Sequence, residues 1–243
     1  MIIYKIFSKL KRKNYPFKNL VNLMYDDPKT TILNMSEVDY VSTDCCKFWV
    51  TDQIVSIQKV KGNPWFKNMR RDDVCVDIGA NIGAITIPLA KHCRTVYAVE
   101  PIFHKELWDN VLLNKLQNVI VMPFGLGVDK ESKTYEFSSG KRTAVGMSFR
   151  TVKEFIGLQI DFLKIDCEGC EWTIEPEELK GIRELRIEFH FRRSHKKQDK
   201  ASYKKWEAWL MENDYNFSID KMKVSPCVPF FDYFLLNASK QDS

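Results

Sequence analysis

The chain contains no apolar run that approaches the roughly 20 residues needed to cross a membrane as a helix. Its first residues lack the continuous apolar core and the small-residue cleavage site of a signal peptide. Internal repeats and low-complexity segments are also absent. These absences argue against a transmembrane segment and a repeat architecture, and they lead us to expect a cytoplasmic protein.

Histidine is scarce, with four residues, and the seven cysteines do not form a paired framework. Cys75 lies inside a predicted buried strand, which suits free thiols in a reducing compartment better than disulfides. The motif Cys167-Glu-Gly-Cys170 has no second cysteine pair at the spacing that a zinc site requires. We therefore predict no metal site, and a thioredoxin-type redox role for these two cysteines remains the alternative.

Charge of one sign does not dominate the chain, because the net charge is only +5. Such a balance permits an anionic partner without requiring one. The densest basic cluster is Arg192–Lys197, directly after His190, with Lys200, Lys204 and Lys205 beyond it. It predicts either an anionic acceptor or a solvated surface, and the second outcome is the commoner one for charge runs.

The 243 residues suffice for one α/β domain and an extension. We assign 1–70 to an N-terminal helical and hairpin extension and 71–243 to the main domain. Apolar positions between lysines over 1–25 predict an amphipathic helix, packed on the domain or, alternatively, bound to a membrane surface or partner. Residues 26–45 are expected to form loops and a short helix, and β-forming residues over Phe48–Val60 predict a hairpin.

From residue 74 onward, apolar strands alternate with helices, which predicts an α/β fold with a mostly parallel sheet and helices on both faces. The last two strands are expected to pair antiparallel at one edge, and 138–146 is expected to be a polar loop. The predicted strands are Val74–Asp77, Thr95–Glu100, Asn118–Pro123, Lys133–Phe137, Ile160–Asp166, Leu185–Phe191, Tyr215–Ile219 and Phe230–Leu236. The predicted helices are Ala84–His92, Phe103–Lys115, Thr151–Ile156 and Ser202–Asn213.

A glycine turn follows the first of these strands, in the stretch Val74-Cys-Val-Asp-Ile-Gly-Ala-Asn-Ile-Gly83. Gly79 allows a sharp turn and the close approach of a ligand, and Gly83 leaves room for a helix to pack on the sheet. Asn81 is the expected N-cap of the helix. Strand, turn and helix in this order predict a nucleotide-type ligand site.

Three acidic residues, Asp77, Glu100 and Asp166, end three predicted strands at the edge where such sheets bind ligands. Glu100 follows the turn at about the 20-residue distance expected of an acid that holds ribose hydroxyls. The turn departs from the dinucleotide pattern G-x-G-x-x-G, and Asp77 in front of it would repel a pyrophosphate. It suits a ligand with a positive amine or sulfonium, which points to S-adenosylmethionine.

The chain resembles the FkbM family of S-adenosylmethionine-dependent methyltransferases over about residues 72–191. The shared motifs are Asp77-Ile-Gly-Ala-Asn-Ile-Gly83, Val99-Glu100-Pro101 and Phe162-Leu-Lys-Ile-Asp-Cys-Glu-Gly-Cys-Glu171. The last motif is the most specific of the three. The resemblance implies a Rossmann-like, seven-stranded methyltransferase sheet and transfer to oxygen, often on sugar hydroxyls or natural products.

The resemblance also implies roles for individual residues. Asp166 would lie near the transferred methyl group and contact the cofactor, and Glu100 would hold the ribose. Pro101 and Ile102 would flank the adenine, although Pro123-Phe-Gly125 lacks the acid that many methyltransferases place near the adenine amine. The residues that would form the loop around the methionine end are Asp77, Gly79, Ala80, Asn81 and Gly83.

The alternating strand Leu185–Phe191 directs Glu188 and His190 to one side. Methyl transfer to a hydroxyl requires removal of the hydroxyl proton, and a histidine with a pKa near 6.5 is suited to this task. Glu168 or Glu188 are alternative proton acceptors. A buried pair of Glu188 and His190 that only supports the strand end is the competing interpretation.

The predicted acceptor is a glycan or another small hydroxylated molecule, with anionic character if the basic cluster lines its pocket. One rival is an RNA methyltransferase of the tRNA type, on the strength of Asn110-Val-Leu-Leu-Asn114 and the run Ile87-Pro-Leu-Ala-Lys91. An RNA-binding module and an N-P-P-Y motif are missing, which argues against it. A non-catalytic interaction protein with the same fold is the other rival.

Overall fold

The computed structural model describes residues 31–32, 40–42, 46–49, 68–137, 140–192, 200–221 and 231–240. The strands, in chain order, are β1 (Thr31–Ile32), β2 (Tyr40–Ser42), β3 (Lys47–Trp49), β4 (Val74–Ile78), β5 (Thr95–Val99), β6 (Val119–Met122), β7 (Gly125–Leu126), β8 (Ser132–Phe137), β9 (Gly140–Met147), β10 (Phe162–Ile165), β11 (Glu184–Arg192), β12 (Tyr215–Lys221) and β13 (Phe231–Lys240). The helices are α1 (Thr86–Ala90), α2 (His104–Leu113), α3 (Phe149–Ile156) and α4 (Lys200–Glu212), and two short 3-10 helices span Cys170–Thr173 and Pro176–Leu179.

Seven strands form the central sheet in the order β6-β5-β4-β10-β11-β13-β12. The five strands from β6 to β11 are parallel to one another, and β13 runs antiparallel to both β11 and β12. This confirms the predicted α/β class, the seven-stranded sheet and the antiparallel strands at one edge. The order turns back at β4, so ligands are expected at the carboxyl ends of the strands around it.

Apolar side chains cover both faces of the sheet. On one face Leu163, Ile187 and Phe189 are fully buried and belong to the larger core cluster, whereas the smaller cluster on the other face contains Cys75 and Phe162. The alternation along each strand separates the two sets, because successive side chains point to opposite faces. Burial on both faces fixes the register, so the residues that follow the strands are held in fixed positions.

The register brings the carboxyl ends of the central strands side by side. Ile78 of β4 and Ile187 of β11 both pair with Ile165 of β10. The backbone N–H of Asp166 continues this pattern by donating to the carbonyl of Ile78 at 3.0 Å. The segments that begin after Ile78, Ile165 and Ile187 therefore meet at one edge.

Three local predictions are wrong. The expected polar loop 138–146 is largely strand β9, which pairs antiparallel with β8 because Thr134 and Thr143 lie opposite each other in a regular ladder. Strands β1 and β2 form an antiparallel ladder where loops and a short helix were expected. Asn81 is not an N-cap, since α1 begins at Thr86 and Asn81 has a left-handed backbone with φ of 52°.

The helix predicted over 1–25 lies outside the described residues. Of the hairpin predicted over Phe48–Val60, only the first two residues are described, within β3, which pairs antiparallel with β2. The proposed boundary near residue 70 stays a prediction.

Candidate active site

The glycine turn after β4 is a tightly bonded loop. The backbone N–H groups of Gly79 and Ala80 donate to the carbonyl of Val99 at 3.0 and 3.2 Å. Gly79 has φ of +74°, and a Cβ atom there would lie 1.8 Å from the backbone oxygen of Asp166. The turn therefore requires glycine at this position, because its backbone touches the end of β10. At Gly83 the same space is taken by side chains from the two following helices.

Glu100 ties the glycine turn to the loop after β5. Its Oε2 atom accepts a hydrogen bond from the N–H of Asn81 at 2.7 Å. Its Oε1 atom accepts from the N–H groups of Ile102 at 2.7 Å and Phe103 at 3.0 Å. A carboxylate offers about four acceptor sites, so the three amides still leave room for a hydroxyl donor. This geometry is compatible with the predicted ribose contact, which stays a prediction.

Asp77 is fully buried and forms an ion pair with a lysine that lies in the middle of β10. Lys164 Nζ is 2.9 Å from Asp77 Oδ1, and both side chains are almost completely shielded from solvent. The Thr86 hydroxyl donates to the other carboxylate oxygen at 2.6 Å. The positive charge that Asp77 faces in this structure is thus the Lys164 ammonium, and its contact with the cofactor stays a prediction.

The loop that is predicted to flank the adenine is held from outside by β9. Arg142 donates to the carbonyl of Ile102 at 2.6 Å and to the carboxylate of Glu106 at 2.9 Å. Its guanidinium carbon lies 5.2 Å from the centre of the Phe103 ring. Burial would raise the pKa of Glu106, but the hydrogen bond from Arg142 lowers it overall. Arg142 therefore supports the loop after β5 from the outer ladder.

Replacing Arg142 with lysine is expected to weaken the binding of S-adenosylhomocysteine about three- to tenfold. A lysine ammonium cannot contact the Ile102 carbonyl and both oxygens of Glu106 in the planar geometry of a guanidinium. The site is partly exposed, which keeps the expected effect small. Isothermal titration calorimetry measures it, with the exposed Arg150→Lys as the matched control. Equal affinities for the two variants would contradict the proposed support of this loop.

His190 lies at the end of β11 within a group of four carboxylates. Its Nδ1 atom is 3.2 Å from Glu171 Oε1, and its backbone N–H donates to the same oxygen at 2.6 Å. Its Nε2 atom lies 3.3 Å from Glu188, 3.6 Å from Glu168 and 3.9 Å from Asp166. The structure therefore brings together all four residues that the sequence nominated for catalysis.

The surroundings of His190 change its expected protonation. Burial alone would lower its pKa, but hydrogen bonds to the carboxylates of Glu171 and Glu188, with the nearby charge of Glu168, raise the pKa to about 10. The ring in this arrangement carries a proton at neutral pH. This pKa lies above the expected value near 6.5, because the sequence does not reveal how many carboxylates converge on one imidazole. The role of His190 as general base stays a prediction.

Cys167 lies in the turn after β10 and Cys170 begins the 3-10 helix Cys170–Thr173, and the two residues are not joined by a disulfide. The Sγ atom of Cys167 lies 3.6 Å from Glu171 Oε2. Burial, followed by the neighbouring Cys170 thiol, raises the pKa of Cys167 well above its usual value. Because a thiol with a raised pKa is rarely deprotonated at neutral pH, little of the reactive thiolate is present, which disfavours the redox alternative.

Two residues of this site carried no role in the sequence analysis. Glu171 closes the 162–171 motif and is fully buried against His190. Lys164 interrupts an otherwise apolar strand, and a lysine in such a position requires a buried partner. The buried partner of Lys164 could therefore have been predicted from the sequence. The contact between Glu171 and His190 could not, because the two residues lie 19 positions apart in the sequence.

The basic cluster after His190, which was predicted to line an acceptor pocket or to form a solvated surface, lies only partly within the described residues. Residues 193–199, which include most of the basic cluster, lie outside the described residues, while Lys204 and Lys205 are exposed on α4. Among the described residues, Asp166, Glu168 and His190 are the group whose ligand atoms are close enough to hold a metal ion. None of the described helices has the length and apolar character needed to traverse a lipid bilayer.

Comparison with known families and proteins identifies relatives of the chain. The family profile described as methyltransferase FkbM domain matches residues 77–218, more than half of the chain. The tRNA(Phe) (4-demethylwyosine(37)-C(7)) aminocarboxypropyltransferase of Methanocaldococcus jannaschii is 36% identical over 97 residues, or 38% of this chain and 36% of that protein. The chain thus matches little more than a third of the length of this curated relative.

Two solved structures are similar to the chain. Trm5b from Pyrococcus abyssi superimposes with a TM-score of 0.51 at 12% identity, over 86% of this chain and 62% of that chain. The M. jannaschii TYW2 structure in complex with AdoMet has a TM-score of 0.47 at 17% identity, over 89% of each chain. At 12% identity, the likeness to Trm5b supports the fold alone.

Proposed function

The chain belongs to the FkbM methyltransferase family, and we propose that it transfers the methyl group of S-adenosylmethionine to a hydroxyl oxygen of a carbohydrate-like or other small hydroxylated acceptor. The predicted donor site lies at the carboxyl ends of β4 and β5. Glu100 is the candidate for the ribose, because its carboxylate already joins the two loops that would enclose the nucleoside. The loop around the methionine end is assigned to Asp77, Gly79, Ala80, Asn81 and Gly83, and the adenine contacts to Pro101 and Ile102.

One observation carries the proposal, namely the group of carboxylates at the ends of β10 and β11. Asp166, Glu168 and Glu188 each have an oxygen within 3.9 Å of His190 Nε2. Negative charge concentrated at this edge attracts a positively charged sulfonium and repels phosphate groups. It therefore supports S-adenosylmethionine as the donor and a hydroxylated acceptor without phosphate at the reacting atom.

S-adenosylmethionine supplies a methyl group attached to a positively charged sulfur. The acceptor oxygen forms a bond to the methyl carbon, the carbon–sulfur bond breaks with its electron pair going to sulfur, and the hydroxyl proton is released. We assign the proton to Glu188, since both ring nitrogens of His190 already face carboxylate oxygens. Asp166 and Glu168 border the reacting atoms. Alignment of oxygen, carbon and sulfur contributes most of the rate enhancement.

A screen for methyl transfer tests the proposal. Calorimetry is expected to detect binding of S-adenosylhomocysteine, and mass spectrometry is expected to detect methylation of a hydroxylated compound in a panel of glycans, lipids and RNA. Absence of S-adenosylhomocysteine binding, or methylation confined to RNA, would contradict it.

Replacing Glu188 with glutamine is expected to slow methyl transfer about tenfold and to leave S-adenosylhomocysteine affinity unchanged. The value lies below the usual contribution of a general base, because solvent can accept the proton in its place. Initial rates with the acceptor found in the screen measure the effect, and the exposed Glu154→Gln is the control. An unchanged rate would remove Glu188 from the proton path.

RNA modification is the second candidate, favoured by the 36% identity with a relative named for its action on tRNA. That relative is also named for the transfer of an aminocarboxypropyl group, so the mass gained by the acceptor separates the two chemistries. A gel-shift assay at increasing salt tests for RNA contacts, because binding through phosphates falls steeply with ionic strength.

A further inference from the structure

Three side chains at the carboxyl edge present ligand atoms to one point. An oxygen of Asp166, an oxygen of Glu168 and a ring nitrogen of His190 all lie within 4.8 Å of one another. Asp166 follows β10, Glu168 lies in the next turn and His190 belongs to β11. The sheet register and the turn together assemble a set of two carboxylates and one imidazole.

The orientation of the imidazole is fixed by a carboxylate behind it. Glu171 is fully buried and holds Nδ1 of His190 at 3.2 Å, while it also accepts the backbone N–H groups of His190 and Gly169 at 2.6 and 2.9 Å. Histidines that bind metals usually donate their second ring N–H to a carboxylate, which leaves the other nitrogen facing the ion. The Glu171–His190 contact has this arrangement, and it is independent of the acidic residues in front of the ring.

The turn after β10 places the carboxylate of Glu168 next to Asp166 and His190. Glu168 has a left-handed backbone with φ of 57°, a conformation that costs a residue other than glycine conformational energy. Its carboxylate is 74% exposed, yet Oε2 lies 3.6 Å from His190 Nε2. Such strain is concentrated at functional sites, where the surrounding structure maintains it.

We propose that Asp166, Glu168 and His190 bind one divalent cation. Two carboxylate oxygens favour Mg²⁺ or Mn²⁺, and the imidazole nitrogen favours Mn²⁺ of these two. A cation bound at Nε2 takes the place of the proton between His190 and Glu188. This inference rests on the proposed function, in which the cation binds the acceptor hydroxyl, makes it more acidic and so assists the passage of its proton to Glu188.

The cysteine pair and its spacing led to the expectation of no metal site. The ligands proposed here come instead from residues that were nominated for catalysis. Their convergence depends on the parallel pairing of β10 and β11, which brings Asp166 next to the strand that carries His190.

Titration of the chelator-treated full chain with Mn²⁺, followed by the loss of the free Mn²⁺ signal in electron paramagnetic resonance, tests the proposal. We expect one ion per chain and an affinity at least about tenfold lower for Glu168→Gln, since even outer-shell changes cost this much. Glu168 is exposed, so this variant is expected to fold, and Asp166→Asn is the second variant. Glu177→Gln, an exposed carboxylate in a neighbouring 3-10 helix, is the matched control.

No saturable Mn²⁺ binding, or equal affinities for Glu168→Gln and Glu177→Gln, would overturn the cation site. Calorimetry with S-adenosylhomocysteine in the presence of chelator separates this outcome from failure of the proposed function. S-adenosylhomocysteine binding without Mn²⁺ binding rejects the cation site alone. Mn²⁺ binding without S-adenosylhomocysteine binding rejects the proposed function and leaves the cation site supported.

Discussion

Lys164→Met is expected to lower the free energy of unfolding by about 3–5 kcal/mol, the usual cost of removing one partner from a buried ion pair. The Lys164 ammonium lies 2.9 Å from Asp77, and both side chains are shielded from solvent. It also donates to the backbone carbonyls of Ile78 at 3.2 Å and Gly79 at 2.9 Å. Methionine retains the length of the side chain but leaves a buried carboxylate and two carbonyls without this cation.

Urea denaturation followed by circular dichroism measures the loss, and two further variants make it specific. Adding Asp77→Asn to Lys164→Met is expected to recover more than half of the stability, because it removes the unpaired charge. Lys105→Met on the exposed surface of α2 is expected to change stability by less than about 0.5 kcal/mol. If Lys164→Met unfolds at the same urea concentration as the parent, or if the double variant is less stable than the single one, the ion pair does not have the assigned role.

The sheet was accessible from the sequence because its strands are buried on both faces. Mostly apolar runs such as Val74–Ile78 and Phe162–Ile165, each with a single charged residue, are typical of buried parallel strands, and the turn residues between them set the element order. The polar ladder β8–β9 was harder to recognise. Its second strand includes Lys141, Arg142 and Thr143. A run of polar residues has no alternation of apolar and polar positions, so a strand of this kind cannot be distinguished from a loop in the sequence.

The residues that the sequence nominated for catalysis lie close together in the structure, but their hydrogen-bond and ion-pair partners were not foreseen. Acidic residues at the ends of strands can be recognised in the sequence, and Asp77, Glu100 and Asp166 do lie at the carboxyl edge of the sheet. Their partners are not visible, because Lys164 reaches Asp77 and Glu171 reaches His190 only after the strands pair. The pKa of His190 depends on these partners, so the sequence alone suggested an ordinary histidine pKa, whereas the surrounding carboxylates raise the pKa to about 10.

These contacts hold the glycine turn and the loop after β5 in place. Lys164 donates a hydrogen bond to the carbonyl of Gly79 in the glycine turn, and Glu100 joins that turn to the loop after β5. Arg142 then fixes the same loop from the outer ladder. Preorganisation of both loops before the ligand arrives reduces the ordering cost of binding.

Glu100→Gln is expected to reduce the affinity for S-adenosylhomocysteine at least about 100-fold, which corresponds to about 3 kcal/mol. The carboxylate accepts three backbone N–H groups, from Asn81, Ile102 and Phe103, at 2.7 to 3.0 Å. A glutamine amide has only one oxygen, so its NH2 group must face an N–H donor of one loop. Hydrogen bonds to charged groups contribute about 1.5–3 kcal/mol each. The loss of the hydrogen bonds to one of the two loops, together with the loss of the predicted ribose contact, accounts for this effect.

Calorimetry with S-adenosylhomocysteine measures the affinity, and the exposed Asp109→Asn on α2 is the control that removes a carboxylate without touching either loop. Thermal unfolding of Glu100→Gln separates loss of binding from loss of the fold, because the sheet and its core do not depend on this side chain. A variant that remains folded and binds within about threefold of the parent would contradict both the loop support and the ribose contact assigned to Glu100. A folded variant with affinity reduced about 100-fold, beside an unchanged Asp109→Asn, supports the role of Glu100 in the donor site, because the lost hydrogen bonds to the two loops and to the ligand are together of this size.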